Sequence, residues 1–407
     1  MAFKFIRGVE TTAAVLRAPT ARYAVPRLAT VALGKNPAGT AELSKSLLAV
    51  KNGFSRFSSN PALSYGCLAG SSWFAVYGLT GGFKNVASPH LKVGFDHYPS
   101  NNPCEDRIFV ETPLPNMLVT GVADGHGGTF VSDIVKMEIG GLVKKLFVDI
   151  QSEPESGVQN FMVSKAIALY QELDDLVYNM VMSIWESNPA VISAGACLVT
   201  ALIFGNHCVV ANAGDCRAVL GKKSEEGVSA VALTKDHNIR EPEELKKLKA
   251  AHPKERDLVK YFDGKPVYVK GMLQPTRCIG DFILKKKEFI EAIPLLQRYA
   301  AFNPPYITCT PEVTAFDIRE EDEFVVMASD GIWDELENQT VVDIVAESLK
   351  RGNSVEEAAN TVVEACLAHA AKRNELTLKQ MKELHTGQRR RFHDDMSVVV
   401  VKLHADE

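Results

Sequence analysis

Four short strand-like runs crowd into one stretch of the chain, and their spacing constrains the fold more than any other feature. Cys197–Phe204, Cys208–Asn212, Arg217–Leu220 and Val228–Leu233 follow one another with only a few residues between them. Parallel neighbours need crossovers of a dozen or more residues, so the expectation is an antiparallel meander. Met117–Ala123 is a further apolar run that stops at Asp124-Gly125, as a buried strand would. Glu323–Ala328 and Met396–Leu403 read as strands too. Over Phe130–Val148 the apolar residues Val131, Ile134, Val135, Ile139, Leu142, Val143, Leu146 and Phe147 keep a helical period. Helices are also expected at Asn160–Trp185, Glu241–Ala251, Leu284–Ala300, Thr340–Leu349 and Val355–Ala370. Strands in the middle with helices outside predict an α+β fold, with sheets sandwiched between helices.

Composition narrows the function classes. The 407 residues are 46% hydrophobic and 23% charged, long enough to bury a large core without staples. A net charge of −5 gives no reason to expect nucleic acid as a partner. The eight cysteines show no CxxC pair and no zinc-ligand spacing, so neither a disulfide framework nor a zinc site is expected. No apolar run reaches 18 residues, so no transmembrane segment is expected.

The first 60 residues differ from the rest. They hold nine Lys or Arg against two acids, with Phe3, Phe5, Ile6, Val9, Ala13 and Leu16 near helical spacing. A basic, acid-poor, amphipathic start suits a mitochondrial import signal, because the membrane potential draws cations inward. The expected organisation is a targeting leader at 1–60, a linker at 61–90 and one domain over 91–407.

Chemistry is carried by aspartates at strand ends: Asp106 in Cys104-Glu-Asp-Arg107, Asp124 in Asp124-Gly-His-Gly-Gly128, Asp330 in Asp330-Gly-Ile-Trp333, and Asp394 in Asp394-Asp-Met-Ser397. Singly, each Asp-Gly is a common turn. Together they converge at one end of the sheets, where close carboxylates repel strongly. A pair of divalent cations neutralises such a set. Hard oxygen donors favour magnesium or manganese over zinc. His126, in the glycine-rich turn, is placed to protonate a leaving alkoxide as a general acid.

With Gly214-Asp-Cys-Arg217, these motifs resemble, in order and spacing, those of the metal-dependent type 2C protein phosphatases, over roughly Leu91 to Leu403. The resemblance implies a four-layer αββα sandwich of two antiparallel sheets flanked by helices. It implies serine/threonine phosphatase activity, with two Mg2+ or Mn2+ ions and a weaker third. Asp124 would bridge the two metals and Gly125 would lend its carbonyl. Asp330 and Asp394 would bind one metal, and Glu105 and Asp106 would act mainly through water. Asp215 and Asp281 match the weaker third site, and His126 the acid. Phe95-Asp-His-Tyr-Pro-Ser100 onward to Arg107, Asp236-His-Asn238, Arg277-Cys-Ile-Gly-Asp281 and Pro304-Pro-Tyr306 look like the pyruvate dehydrogenase phosphatase branch.

That likeness implies a matrix phosphoprotein partner, an oxo-acid dehydrogenase complex. One departure stands out. Many relatives carry a phosphate-binding arginine shortly before the Glu-Asp pair, whereas Asn101 stands near that place here, leaving Lys92 or Arg277 to hold phosphate. The competing reading is an idle phosphatase-like subunit of a mitochondrial complex, against which the retained carboxylates argue. Arg389-Arg-Arg391 is a steering patch or simply a solvated face.

Overall fold

The computed structural model describes residues 91–292 and 302–404. The expected leader and linker lie outside the described residues, as does the second half of the helix expected over Leu284–Ala300. Where that helix begins, the chain forms two short helices instead, Phe282–Lys285 and Lys287–Ala292, interrupted at Lys286 by extended backbone.

Two antiparallel sheets form the centre. The first has the order β1 (Lys92–Tyr98), β10 (Met396–Lys402), β9 (Asp322–Ala328), β6 (Arg217–Ser224), β7 (Gly227–Ala232). The second has the order β8 (Glu312–Asp317), β5 (His207–Ala213), β4 (Gly195–Phe204), β3 (Met117–His126), β2 (Arg107–Leu114). Helices α1 (Phe130–Leu146) and α2 (Glu155–Ile184) cover the second sheet, and α3 (Asn338–Lys350) and α4 (Val355–Arg373) cover the first. The result is the expected αββα sandwich.

Residue alternation explains why four layers form. In β10, Met396, Val398 and Val400 pack under α3 and α4, while Val399 and Val401 fill the space between the sheets. In β3, Val119 and Ala123 meet α1 and α2, while Leu118 and Val122 face the other sheet. A strand buried on both faces needs apolar residues at every position, and each such valine adds about 1.5–3 kcal/mol on burial.

The meander expectation is corrected. β4 and β5 pair in the second sheet, but β6 and β7 pair in the first. A short link demands an antiparallel neighbour only when both strands stay in one sheet, and here the chain changes sheets at 214–216. Gly214 makes the crossing with φ +123°, and a Cβ there would lie 2.4 Å from the Cys197 side chain.

Candidate metal and acid site

Register carries the aspartates to one end of the sandwich. Arg107 pairs with Ala123, Ala328 pairs with both Arg217 and Val398, and His126 pairs with Gly195. Asp106 therefore precedes β2 beside the end of β3 that carries Asp124, Gly125 and His126. Asp330 follows β9, Asp394 precedes β10, and Asp215 lies in the turn between β5 and β6.

These carboxyls behave as one electrostatic unit. Burial, then the charges of Asp106, Asp394 and Asp215, push the Asp124 carboxyl well above the usual carboxylate range. Asp330 is raised by burial and by Asp124, Asp215 and Asp394, and Asp106 by burial and Asp395. Asp394 is raised by burial against the opposing pull of Arg390. Asp106 Oδ2 is fully buried and has no hydrogen-bond partner. An orphaned buried oxygen among mutually repelling aspartates is a donor set that a divalent cation would satisfy. The residues fit hard divalent ions such as Mg2+ or Mn2+.

Glycine keeps the backbone close. A Cβ on Gly125 would lie 2.5 Å from the Glu105 carbonyl oxygen and 2.7 Å from Ser132 Oγ. Glu105, expected to act through water, accepts a 2.6 Å hydrogen bond from Gly128 N–H and so clamps the glycine turn. Asp215 accepts from Asn238 Nδ2 at 2.9 Å.

His126 Nε2 lies 2.6 Å from Asp281 Oδ2. Burial pulls the imidazole pKa down, but the charge and hydrogen bond of Asp281, with Asp215 and Glu105 behind them, carry it above its ordinary value. The carboxylate on one ring nitrogen favours the imidazolium, the form that can donate a proton. Asp281 takes left-handed backbone, φ +51°, to deliver that carboxylate.

Of the two side chains expected to hold phosphate, Lys92 is corrected and Arg277 is found already hydrogen-bonded. Lys92 pairs with Lys402 at the far end of β1, whereas Tyr98 pairs with Met396 at the site end. Six residues of strand separate those ends by about 20 Å. Arg277 donates to the Thr310 carbonyl at 3.2 Å and to Glu244 Oε1 at 3.1 Å, so its guanidinium is already engaged by a carbonyl and a carboxylate.

Two residues beside the site have no place in it from the sequence, which shows Arg390 only within the Arg389-Arg-Arg391 patch and Asp395 only as the neighbour of Asp394. Arg390 forms an ion pair with Asp394, so a half-exposed guanidinium reaches the carboxylate cluster. Asp395 accepts from the backbone N–H of Ser100 (2.6 Å), Asn101 (2.9 Å) and Glu105 (2.8 Å), and from Asn101 Nδ2 (2.9 Å). It ties down the loop that carries Glu105 and Asp106. Burial raises its carboxyl, but those donors more than offset it and hold the pKa below the usual range.

An αββα sandwich with buried aspartates and a carboxylate-paired histidine at one end is an arrangement that suits a metal-dependent phosphoester hydrolase. The family profile described as "Protein phosphatase 2C" matches residues 102–375. Probable protein phosphatase 2C 67 of Arabidopsis thaliana is 34% identical over 314 residues, 75% of this chain and 81% of that protein. Probable protein phosphatase 2C 78 of Oryza sativa is 34% identical over 312 residues, 75% of each chain. The serine-threonine phosphatase 2C structure from Toxoplasma gondii shares the fold, with TM-score 0.59 and 19% identity over 77% of this chain and 94% of that one. The chain belongs to the protein phosphatase 2C family and is a serine/threonine protein phosphatase.

Proposed function

We propose that this phosphatase removes phosphate from serine and threonine of a mitochondrial matrix protein, with an oxo-acid dehydrogenase complex such as pyruvate dehydrogenase as the substrate. Two Mg2+ or Mn2+ ions, and a weaker third, are its cofactors, held by Asp106, Asp124, Gly125, Asp330 and Asp394, with Asp215 and Asp281 toward the third. Bound there, such ions neutralise the carboxylates and the phosphate and lower the pKa of water to near neutrality.

The chain's own residues supply the rest. Asp281 orients His126 and keeps it protonated, and His126 gives that proton to the departing serine or threonine oxygen. Arg390 leaves Asp394 to receive the phosphate, taking the part of the arginine missing near Asn101. Asp395 holds the Ser100–Asp106 loop so that Asp106 stays in place.

The observation that carries this reading is the buried, mutually repelling aspartate set, with Asp106 Oδ2 unpartnered, beside a histidine whose Nε2 meets the Asp281 carboxylate at 2.6 Å. The matrix location and the substrate rest on the basic leader and on the motifs that look like the pyruvate dehydrogenase phosphatase branch. The plant relatives' names give no substrate.

The test is phosphate release from a phosphoserine peptide of the decarboxylating subunit of pyruvate dehydrogenase, beside an unrelated phosphothreonine peptide. Metal-dependent release abolished by Asp330→Asn supports the chemistry, and faster turnover of the dehydrogenase peptide supports the substrate. Equal turnover of both peptides, or exclusion from the matrix in an import assay, overturns the substrate reading. No release from folded protein at millimolar metal overturns the chemistry and favours the idle subunit.

A further inference from the structure

A thiol stands behind the acid pair. Cys278 Sγ lies 3.1 Å from Asp281 Oδ2, the same oxygen that meets His126 Nε2 at 2.6 Å. The ligating atoms of His126, Cys278 and Asp281 all fall within 4.8 Å of one another. No spacing rule would find them, because the fold brings position 126 on β3 to the 278–281 turn.

The space is built for a close cluster. A Cβ on Gly195 would lie 1.8 Å from Asp281 Oδ2 and 2.6 Å from His126 Nε2, so only a residue without a side chain leaves this room. Cys278 and Asp281 are buried, while the His126 side chain keeps 27% of its surface open as the way in.

The donor set differs in kind from the oxygen cluster beside it. Imidazole nitrogen, thiolate sulfur and a carboxylate select zinc and similar borderline metals over magnesium. Zinc bonds of about 2.0–2.3 Å place tetrahedral ligand atoms about 3.3–3.7 Å apart. The present 2.6 and 3.1 Å separations therefore need to open by no more than about 1 Å. Charge also balances: one thiolate, one carboxylate and a neutral imidazole cancel the two charges of Zn2+. Lys285, which donates to the Cys278 carbonyl at 2.8 Å, is already paired with Asp174 and adds no net charge.

We propose that His126, Cys278 and Asp281 form a zinc site, with water as fourth ligand, and that zinc bound there shuts the phosphatase off. Binding releases the Cys278 thiol proton and the His126 proton to solvent and replaces the His126–Asp281 hydrogen bond with two metal bonds. With Nε2 on zinc the ring is held as a neutral ligand, so the imidazolium that would protonate the leaving group no longer forms. Binding is independent of the reading of His126 as the acid; inhibition rests on it.

The test uses Co2+ as a visible stand-in on the full chain stripped with EDTA and then saturated with Mg2+. A thiolate-to-cobalt charge-transfer band in the near ultraviolet, with intense tetrahedral visible bands, is expected, since an all-oxygen octahedral site gives only weak bands. The charge-transfer band should vanish in Cys278→Ser and in Cys278→Ala. Zn2+ should inhibit Mg2+-driven hydrolysis of a phosphoserine peptide while sparing p-nitrophenyl phosphate, whose leaving group needs no proton, and Cys278→Ser should raise the half-inhibiting concentration for the peptide at least tenfold. Weak octahedral bands in the parent protein, or a charge-transfer band that survives both substitutions, overturns the site. The band without any inhibition by Zn2+ upholds the zinc site and refutes the acid role of His126.

Discussion

Asp124→Asn separates a cation site from any account in which the aspartates merely hold turns together. In the metal-free protein Asp124 is raised by burial and then by Asp106, Asp394 and Asp215, so its charge opposes folding. A like-charge pair about 5 Å apart costs about 3 kcal/mol at an effective dielectric constant of 20, and partial protonation reduces that. Removing one charge should therefore stabilise the metal-free fold by about 1–3 kcal/mol. For a domain this large 1 kcal/mol moves Tm by about 2 °C, so the variant should melt roughly 2–6 °C higher in EDTA.

Magnesium should reverse the order. At one hundred times its Kd a ligand adds about 2.7 kcal/mol, a gain the parent protein keeps and the variant largely loses. Scanning calorimetry in EDTA and in excess Mg2+ reads both halves. A variant that melts lower in EDTA, with an undiminished magnesium shift, would falsify the cation-site account. The pH dependence has the same origin. A carboxyl whose folded pKa is raised gives stability that is full below its unfolded pKa and lost as pH rises through the folded value. EDTA-treated protein should thus gain stability on going from pH 7 toward pH 5, while magnesium-saturated protein loses it as protons compete with metal.

Other substitutions test the surroundings. His126→Gln should slow a phosphoserine peptide at least about a hundredfold while sparing p-nitrophenyl phosphate, whose leaving group needs no proton, and equal losses on both would remove it from the acid role. Gly195→Ala forces a Cβ into the His126–Asp281 contact, so it should cost about 1–3 kcal/mol in urea unfolding and move the alkaline limb of the pH–rate profile to lower pH. Arg390→Ala should raise KM for phosphopeptide roughly tenfold and weaken inhibition by inorganic phosphate, as loss of a charge-assisted contact of about 1.5 kcal/mol implies. Glu244 is pushed up by burial but brought down to about 2 by Lys247, Thr276 and Arg277. Glu244→Gln should cost about 1–2 kcal/mol at pH 7 after allowance for the exposed Lys247, a difference that persists above the unfolded pKa and fades as pH falls from about 4.5 toward 2.

The layers were legible where burial was complete. Val398 to Val401 or Leu198 to Ile203 admit no polar face, so their apolar runs announce interior strands and an α+β sandwich. β1 and β2 were not visible in the same way, because each sits at a sheet edge and buries only one residue fully, Gly94 in β1 and Phe109 in β2. The crossing at Gly214 was illegible for another reason. Sequence spacing shows that two strands are close, but which sheet each joins depends on what packs against it, here the Cys197 side chain beneath Gly214.

The neighbouring carboxylates Asp394 and Asp395 mark the limit of reading a site from a motif. Both stand in the same short segment, both are largely withdrawn from water, and nothing in Asp394-Asp-Met-Ser397 says which would take a cation. The fold divides them. Asp395 is satisfied by three backbone N–H groups and an amide, which hold it below the ordinary carboxylate range. Asp394 has its own backbone neighbour and the half-exposed charge of Arg390, and stays above that range. A carboxylate already saturated with donors has no lone pair to give a metal at low cost, whereas one countered by a half-exposed arginine can exchange that partner. Family order alone assigns Asp394; the hydrogen bonds explain why its neighbour cannot substitute for it, and why the arginine beside it is free to turn toward phosphate once a cation takes its place.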